Sequence, residues 1–311
     1  MTIRTFQPGD DAAQVGIYNE AAAHLPKFKP ATLDEIRRRV RAAEFDPATR
    51  FFAVEDGLPV GYATFHTNGR VSFPWCRKGH ERHAGALFEA VLQEMRRRGM
   101  PGAFAAYRAD WPAQATFFTA HGFRAAREMV NFVLDLTDMP TPGARAGTAV
   151  EPMLADDMAA VLALGEGVIR CRTPQELTDH LWHNPYFGSD SAFVLRGSAG
   201  RPVAAGVLVV KDAYADPTAV DANMPCFRLG AFGTEGLQWK RLNGVFSFVV
   251  RPGPDVNAHA LELLAHAAGR LTETDLGTLA AQVPSDAPHL LRHYQQLWRR
   301  QGAFPVFELA L

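Results

Sequence analysis

Residues 71–91 read VSFPWCRKGHERHAGALFEAV. Val71 to Trp75 has the character of a short strand, and an amphipathic helix is expected from His83 to Arg98, ended by Gly99. Between them Arg77, Lys78 and Arg82 crowd a turn together with His80 and His83. Unpaired amides and the positive end of the helix dipole make such a strand–loop–helix joint a seat for an anion, and small residues let the backbone approach it. The competing interpretation is a solvated basic turn.

Upstream, FFAVEDGLPVGYATF from Phe51 predicts a hairpin about Asp56-Gly57. TLDEIRRRVRAAEF opens with T-x-x-E and carries Leu33, Ile36, Val40 and Phe45 on one face, the pattern of a capped amphipathic helix. Ile3 to Gln7 reads as a strand, and Asp10-Asp11 opens another helix. Downstream, Ala103 to Tyr107 is extended, Ala113 to Ala120 helical, and Met129 to Leu136 a closing strand. The predicted order is β-α-α-β-β-β-α-β-α-β, an α/β arrangement with helices on a mixed sheet.

That order recurs. TIRTFQPGDDAAQV from Thr2 aligns without a gap to TAVEPMLADDMAAV from Thr148, and the hairpin echoes AFVLRGSAGRPVAAGVLVV from Ala192. AHGFRAAREMVNFVLDL is matched by the closing RQGAFPVFELAL. A period near half of 311 residues argues a duplicated domain rather than a solenoid. TDMPTPGARAG has too few apolar residues to bury a face. The expected domains are therefore 1–137 and 148–311, with 138–147 as linker.

Composition narrows the class. Hydrophobic residues at 47% and charged ones at 21% suit a folded globular chain. Lys plus Arg number 32 against 33 Asp plus Glu, for a net charge of -1, so no global field gathers nucleic acid or an anionic membrane. Cys76, Cys171 and Cys226 form neither a disulfide framework nor zinc spacing, and the N-terminus lacks signal-peptide character, so a cytoplasmic protein is expected.

The element order, the loop entering the helix at Leu87 and the phrase AQATFFTAHGF resemble the GNAT family of N-acetyltransferases, and the second half resembles it again. The resemblance implies two tandem GNAT-like domains, each a mixed, mostly antiparallel sheet flanked by helices. It also implies acetyl-CoA as co-substrate, held where the fourth and fifth strands part, with its pyrophosphate on a Q/R-x-x-G-x-G/A loop. Aligned on the helix, that loop falls at Gly79–Ala84; aligned on the strand, at Arg77–Arg82. Carried over, the coenzyme contacts are Phe73, Cys76, Arg77, Lys78, Gly79, His80, Arg82, His83, Ala84 and Gly85. In the second half the loop runs from Asp255 to Ala260, and its leading carboxylate would repel a phosphate, leaving that half as acceptor cleft or scaffold.

The resemblance further implies an acyl-CoA-dependent N-acyltransferase, acetylating an amine of a small molecule or protein. The family's usual groups are missing. Neither VSFPWC nor FSFVVR has a carboxylate, and the position of the usual tyrosine acid is Phe118, with Trp298 in register and Tyr294 one turn earlier in the second half. The remaining catalytic candidates are His80, through a water, and Tyr107, which has a competing assignment as a packed core residue. The alternative function is an inactive tandem fold that senses CoA or holds a protein. Monomer and homodimer both remain open, and neither nucleic acid nor membrane is expected as a partner.

Other features carry two readings each. Cys76 is a nucleophile or a small buried hydrophobe. His80/His83 and His180/His183 have metal-compatible spacing but no clustered third ligand in sequence, so no metal is expected. Glu235 and Trp239, in a Gly-rich stretch, line an acceptor pocket or shape a turn. The aromatic segment 182–190 covers a cleft or fills core.

Overall fold

The computed structural model describes the chain except residues 27, 42–44, 141–148, 170, 184–187, 189, 211–243 and 272–276. The first half runs β1 (Thr2–Thr5), α1 (Asp10–Ala22), α2 (Leu33–Arg41), β2 (Arg50–Glu55), β3 (Leu58–Thr64), β4 (Trp75–Cys76), α3 (Ala84–Arg97), β5 (Gly102–Ala106), α4 (Pro112–Ala120) and β6 (Arg124–Asp135). The second runs β7 (Ala149–Pro152), α5 (Met158–Leu164), α6 (Pro174–Trp182), β8 (Ala192–Arg196), β9 (Pro202–Val210), β10 (Gly244–Val250), α7 (Val256–Gly269), β11 (Thr278–Pro284), α8 (Pro288–Leu297) and β12 (Arg299–Ala310). Among the described residues the expected element order is present twice.

Two compact units result: Met1–Arg127 with Phe304–Leu311, and Glu128–Ala303. Strand pairing explains why these units cut across chain order. Val306 to Ala310 pair antiparallel with Ala106 to Gly102 of β5, so the last strand completes unit 1. Met129 to Asp135 of β6 pair antiparallel with Pro284 to Thr278 of β11, in unit 2. Most of the sequence-assigned linker, 141–147, lies outside the described residues.

In unit 1, β1–β4 form an antiparallel meander. Asp56 (φ 52) and Gly57 (φ 78) are both left-handed, as a two-residue type I′ hairpin turn requires, and Glu55 pairs with Leu58 across it. Helix α3 buries Leu87, Phe88, Val91, Leu92 and Met95, one stripe at helical spacing, against Ala53, Val60, Ala63, Phe118 and Phe307. The other core cluster joins Ile17 and Ala22 of α1 to Phe52, Tyr62, Trp75 and Trp111. Unit 2 repeats the layering. Leu263 and Leu264 of α7 and Tyr294 of α8 pack with Phe246 and Phe248, while Val161, Leu177 and Leu181 of α5 and α6 pack with Val245 and Val249.

Gly61 fixes how closely β3, β4 and α3 approach. A Cβ there would meet Cys76 Sγ at 2.8 Å, Leu87 Cδ1 at 3.0 Å and the Trp75 carbonyl at 3.2 Å. Gly61→Ala is expected to destabilise by about 1–3 kcal/mol through overpacking. An unshifted urea midpoint would show that these neighbours yield freely.

Candidate functional site

Both units contain a pair of parallel strands that part. In unit 1, Val71 N donates to the Phe104 carbonyl at 2.9 Å and Phe104 N to the Gly69 carbonyl at 2.8 Å. Two residues further, the Phe73 amide turns to a side chain instead, donating to Tyr107 Oη at 2.5 Å. The segment meanwhile keeps its other neighbour, with Tyr62 opposite Trp75 and Gly61 opposite Cys76. In unit 2, among the described residues, β10 and β11 pair only at Gly244–Leu279 and Val245–Ala280. Yet β10 stays on β9 as far as Val250, and β11 stays on β6 as far as Pro284. Each unit therefore has a wedge whose facing edges lack the ladder partner they would otherwise share.

The wedge in unit 1 is lined by aromatic rings. Phe73 packs edge-on to Trp75 (5.0 Å) and Phe117 (5.1 Å), and Tyr107 stacks on Phe118 (5.7 Å). Phe118 is fully buried, as its place among these rings requires. Tyr107 is half-buried, a packed ring that carries its hydroxyl to the strand edge. Cys76 is buried in β4, and burial pushes its thiol up to about 12. It is protonated at neutral pH and acts as a small hydrophobe, the blander of its two readings.

Between β4 and α3 the chain makes a 3₁₀ turn, Glu81–His83, with Gly79 at φ +85. The amides of His83 and Ala84 are consumed by this turn, on the carbonyls of His80 and Glu81. Those of Lys78 and Gly79 point outward, to the carboxylates of Glu20 (3.1 Å) and Glu81 (3.1 Å). The Glu81 carboxyl is held below the usual range by its own amide and by that of Gly79. Arg77 reaches Glu20 at 2.5 Å, and Arg82 grips both oxygens of Glu55 at 2.7 and 2.8 Å. His80 Nδ1 and His83 Nε2 also face Glu55, at 2.8 and 3.2 Å. Hydrogen bonds from His83 and Arg82 hold the Glu55 carboxyl down at about 2. His83 is buried beneath the turn, whereas Lys78, Gly79, Arg82 and Gly85 are exposed, and Ala84 is half-buried.

The sequence-predicted coenzyme residues thus fall on one continuous strand–turn–helix, from Phe73 to Gly85. Sequence reasoning missed the three carboxylates that serve this loop. Glu81 stood inside the quoted stretch, but Glu20 comes from α1 and Glu55 from the end of β2, and no local pattern announces either.

Unit 2 differs in its loop. Asp255 stands at the N-cap position of α7 without a side-chain capping hydrogen bond, and Asn257 Nδ2 donates to Gln296 at 2.9 Å. Pro252 and Pro254 contribute no amide hydrogens. Its wedge side is aromatic, with Phe248, His293, Tyr294 and Trp298 in contact. His293 is completely buried, and neither ring nitrogen has a hydrogen-bond partner among the described residues. Its proximity to that wedge had no sequence signal beyond the neighbouring Tyr294. Glu235, Trp239 and Cys226 lie outside the described residues, as does most of 184–189.

No family model matches the chain. Among curated proteins, it is similar to the mycothiol acetyltransferase of Streptomyces griseus, 30% identical over 131 residues, which are 40% of this chain and 43% of that protein. The mycothiol acetyltransferase of Streptomyces avermitilis is 31% identical over 133 residues, again 40% of this chain and 42% of that one. These matches span less than half the length of either relative. Solved structures match nearly end to end. A GCN5-related N-acetyltransferase from Sphaerobacter thermophilus superposes with a TM-score of 0.60 at 16% identity, covering 99% of this chain and 95% of that one. A tandem GNAT protein from the clavulanic acid biosynthesis pathway gives 0.53 at 13% identity, covering 99% and 98%. This is a tandem GNAT fold. The two parted strand pairs occur once in each GNAT unit, as the duplication in sequence implied. Among the described residues, no helix is long and apolar enough to cross a membrane.

Proposed function

We propose that the chain is an acyl-CoA-dependent N-acyltransferase that moves an acetyl group from acetyl-CoA to an amine of a small molecule or protein, with unit 1 holding the donor. The carrying observation is the pairing of a wedge with an anion-accepting turn: Lys78 and Gly79 direct their amides at carboxylates, beside the Arg77 and Arg82 guanidiniums. Carboxylates on those donors mark positions that a pyrophosphate would take, and exposed ion pairs are cheap to exchange. Lys78, which only the Arg77–Arg82 register includes, turns its amide outward, whereas 83 and 84, which only Gly79–Ala84 includes, both spend theirs in the turn. Although the Arg77 amide is spent on Val60, the balance favours the Arg77–Arg82 register. Phe73 and Cys76 would flank the thioester arm, and Ala84 and Gly85 leave room for the phosphates at the start of α3. Similarity to proteins named mycothiol acetyltransferase supports an acetyl donor.

Within the wedge, Tyr107 is the residue we assign as proton donor to the leaving thiolate, because its hydroxyl sits where the segment before β4 parts from β5. His80 faces Glu55 with Nδ1, so its geometry ties it to the turn rather than to the wedge. Unit 2 is assigned to acceptor binding or scaffolding, since Asp255 leads its loop and two prolines remove donors. A cytoplasmic setting accompanies this reading.

The test is acetyl-CoA-dependent thiol release across a panel of amines, run beside thermal shift with acetyl-CoA and CoA. Ligand at about 100 times its dissociation constant should stabilise the fold by about 2.7 kcal/mol. Binding without thiol release from any amine would favour a CoA sensor, and no shift at millimolar ligand would defeat the donor site. Tyr107→Phe should lower the rate of thiol release by about 100-fold, within the range of lost general acid catalysis. An unchanged rate would remove Tyr107 from the chemistry.

A further inference from the structure

One oxygen of the Glu55 carboxylate draws an unusual number of nitrogens. His80 Nδ1 at 2.8 Å, Arg82 Nη2 at 2.8 Å and His83 Nε2 at 3.2 Å all converge on the one oxygen Oε2. A carboxylate oxygen offers about two lone-pair sites. Two imidazole nitrogens and a carboxylate oxygen gathered at one point are also a ligand set of the zinc class, and their donor atoms all lie within 4.8 Å of one another. For bonds of about 2.0–2.2 Å, tetrahedral ligands stand about 3.3 Å apart. Two of the three edges, 2.8 and 3.2 Å, are already close to that.

We propose that Glu55, His80 and His83 form a binding site for a divalent cation of the zinc class, with solvent at the fourth position. The elements prepare it independently of one another. Glu55 is fixed by the β2–β3 hairpin, whose left-handed Asp56-Gly57 turn follows it directly. His83 is buried and starts α3, which holds one imidazole in place without the ion. His80 and Glu55 are half-buried, leaving the remaining position open to water. Arg82 still has Glu55 Oε1, at 2.7 Å, when Oε2 is given to a metal. That contact then orients the ligating carboxylate from outside, as outer-shell partners do. The i,i+3 histidine pair visible in sequence lacked a third ligand, and the folded hairpin supplies it from 25 residues upstream of His80. The ion would staple the hairpin to the turn before α3.

The experiment is titration of the chelator-treated full chain with Co(II), followed by its displacement with Zn(II). No acyl donor is present, so the result is independent of the acyl-transfer assignment. The wild-type chain is expected to bind a single equivalent of Co(II) with the visible absorption of a tetrahedral site, and Zn(II) should bleach that absorption and raise the melting temperature. His80→Ala and the isosteric Glu55→Gln should each weaken binding by about 100-fold or more. His183→Ala, which alters an exposed histidine paired to Asp179 in unit 2, should leave it unchanged. The proposal is overturned if the wild type binds no Co(II) at about 100 μM, if His80→Ala and Glu55→Gln bind as tightly as wild type, or if His183→Ala removes the signal.

Discussion

Replacing His293 with leucine should make the protein markedly more resistant to mild acid while leaving neutral-pH stability equal or improved. His293 sits at zero exposure between Phe248 and Tyr294, and burial lowers its imidazole to about 4. An unfolded histidine titrates near 6.5. Between those values the unfolded chain takes up a proton that the folded chain refuses, so stability is complete above about pH 6.5 and drains as pH falls toward 4. The difference amounts to about 3 kcal/mol. His180, His266 and His289 are lowered by burial too and add to the same limb, so only the His293→Leu difference isolates this residue. At neutral pH the variant removes two buried nitrogens that lack partners among the described residues, each a desolvation cost of about 1–3 kcal/mol, against some mismatch of shape. Urea unfolding at pH 7.5, 6 and 5 measures both effects. Parallel pH profiles for wild type and variant would mean that the folded site accepts the proton, and that the imidazole has a partner after all.

The fold was open to reading because it rests on short-range signals that packing did not override. Asp56-Gly57 demanded a hairpin, and Leu87, Phe88, Val91, Leu92 and Met95 demanded a buried helical face; both are present. The duplication followed from the recurrence of such signals in order. What local patterns cannot report is partner choice between strands that look alike. The closing strands of both halves read as one motif, yet Val306–Ala310 pair with β5 and Met129–Asp135 with β11. The same limit applied to charge. Arg77, Lys78 and Arg82 looked like a free cationic loop, whereas Glu20 and Glu55, 57 and 27 residues from their arginine partners, neutralise much of it. Tyr107 shows the converse: its strand position was evident, but only the parting of the segment before β4 from β5 reveals that its hydroxyl takes the Phe73 amide in place of a ladder partner.

That neutralised loop yields the second large effect, a pair of variants that should move donor affinity in opposite directions. Arg77→Ala/Lys78→Ala/Arg82→Ala removes three cations from the turn, and charge-assisted hydrogen bonds are worth about 1.5–3 kcal/mol each. Even if a single such contact is made in the complex, acetyl-CoA should bind about 10- to 100-fold more weakly, and engagement of two or more carries the loss beyond 100-fold. Glu20→Gln acts on the competitor instead. Its carboxylate holds both the Arg77 guanidinium and the Lys78 amide, so a pyrophosphate must displace it to use either. Removing the charge should tighten binding a few-fold, the modest scale of a half-exposed ion pair. Raised salt should narrow the gap, since the screening length falls to about 3 Å at 1 M. Calorimetric titration with acetyl-CoA at low and high salt reads all three chains. Were the triple variant to bind like wild type, the anion would have to lie elsewhere than on this turn. Weakening by Glu20→Gln would instead make its carboxylate a support for the bound loop rather than a rival of the phosphate.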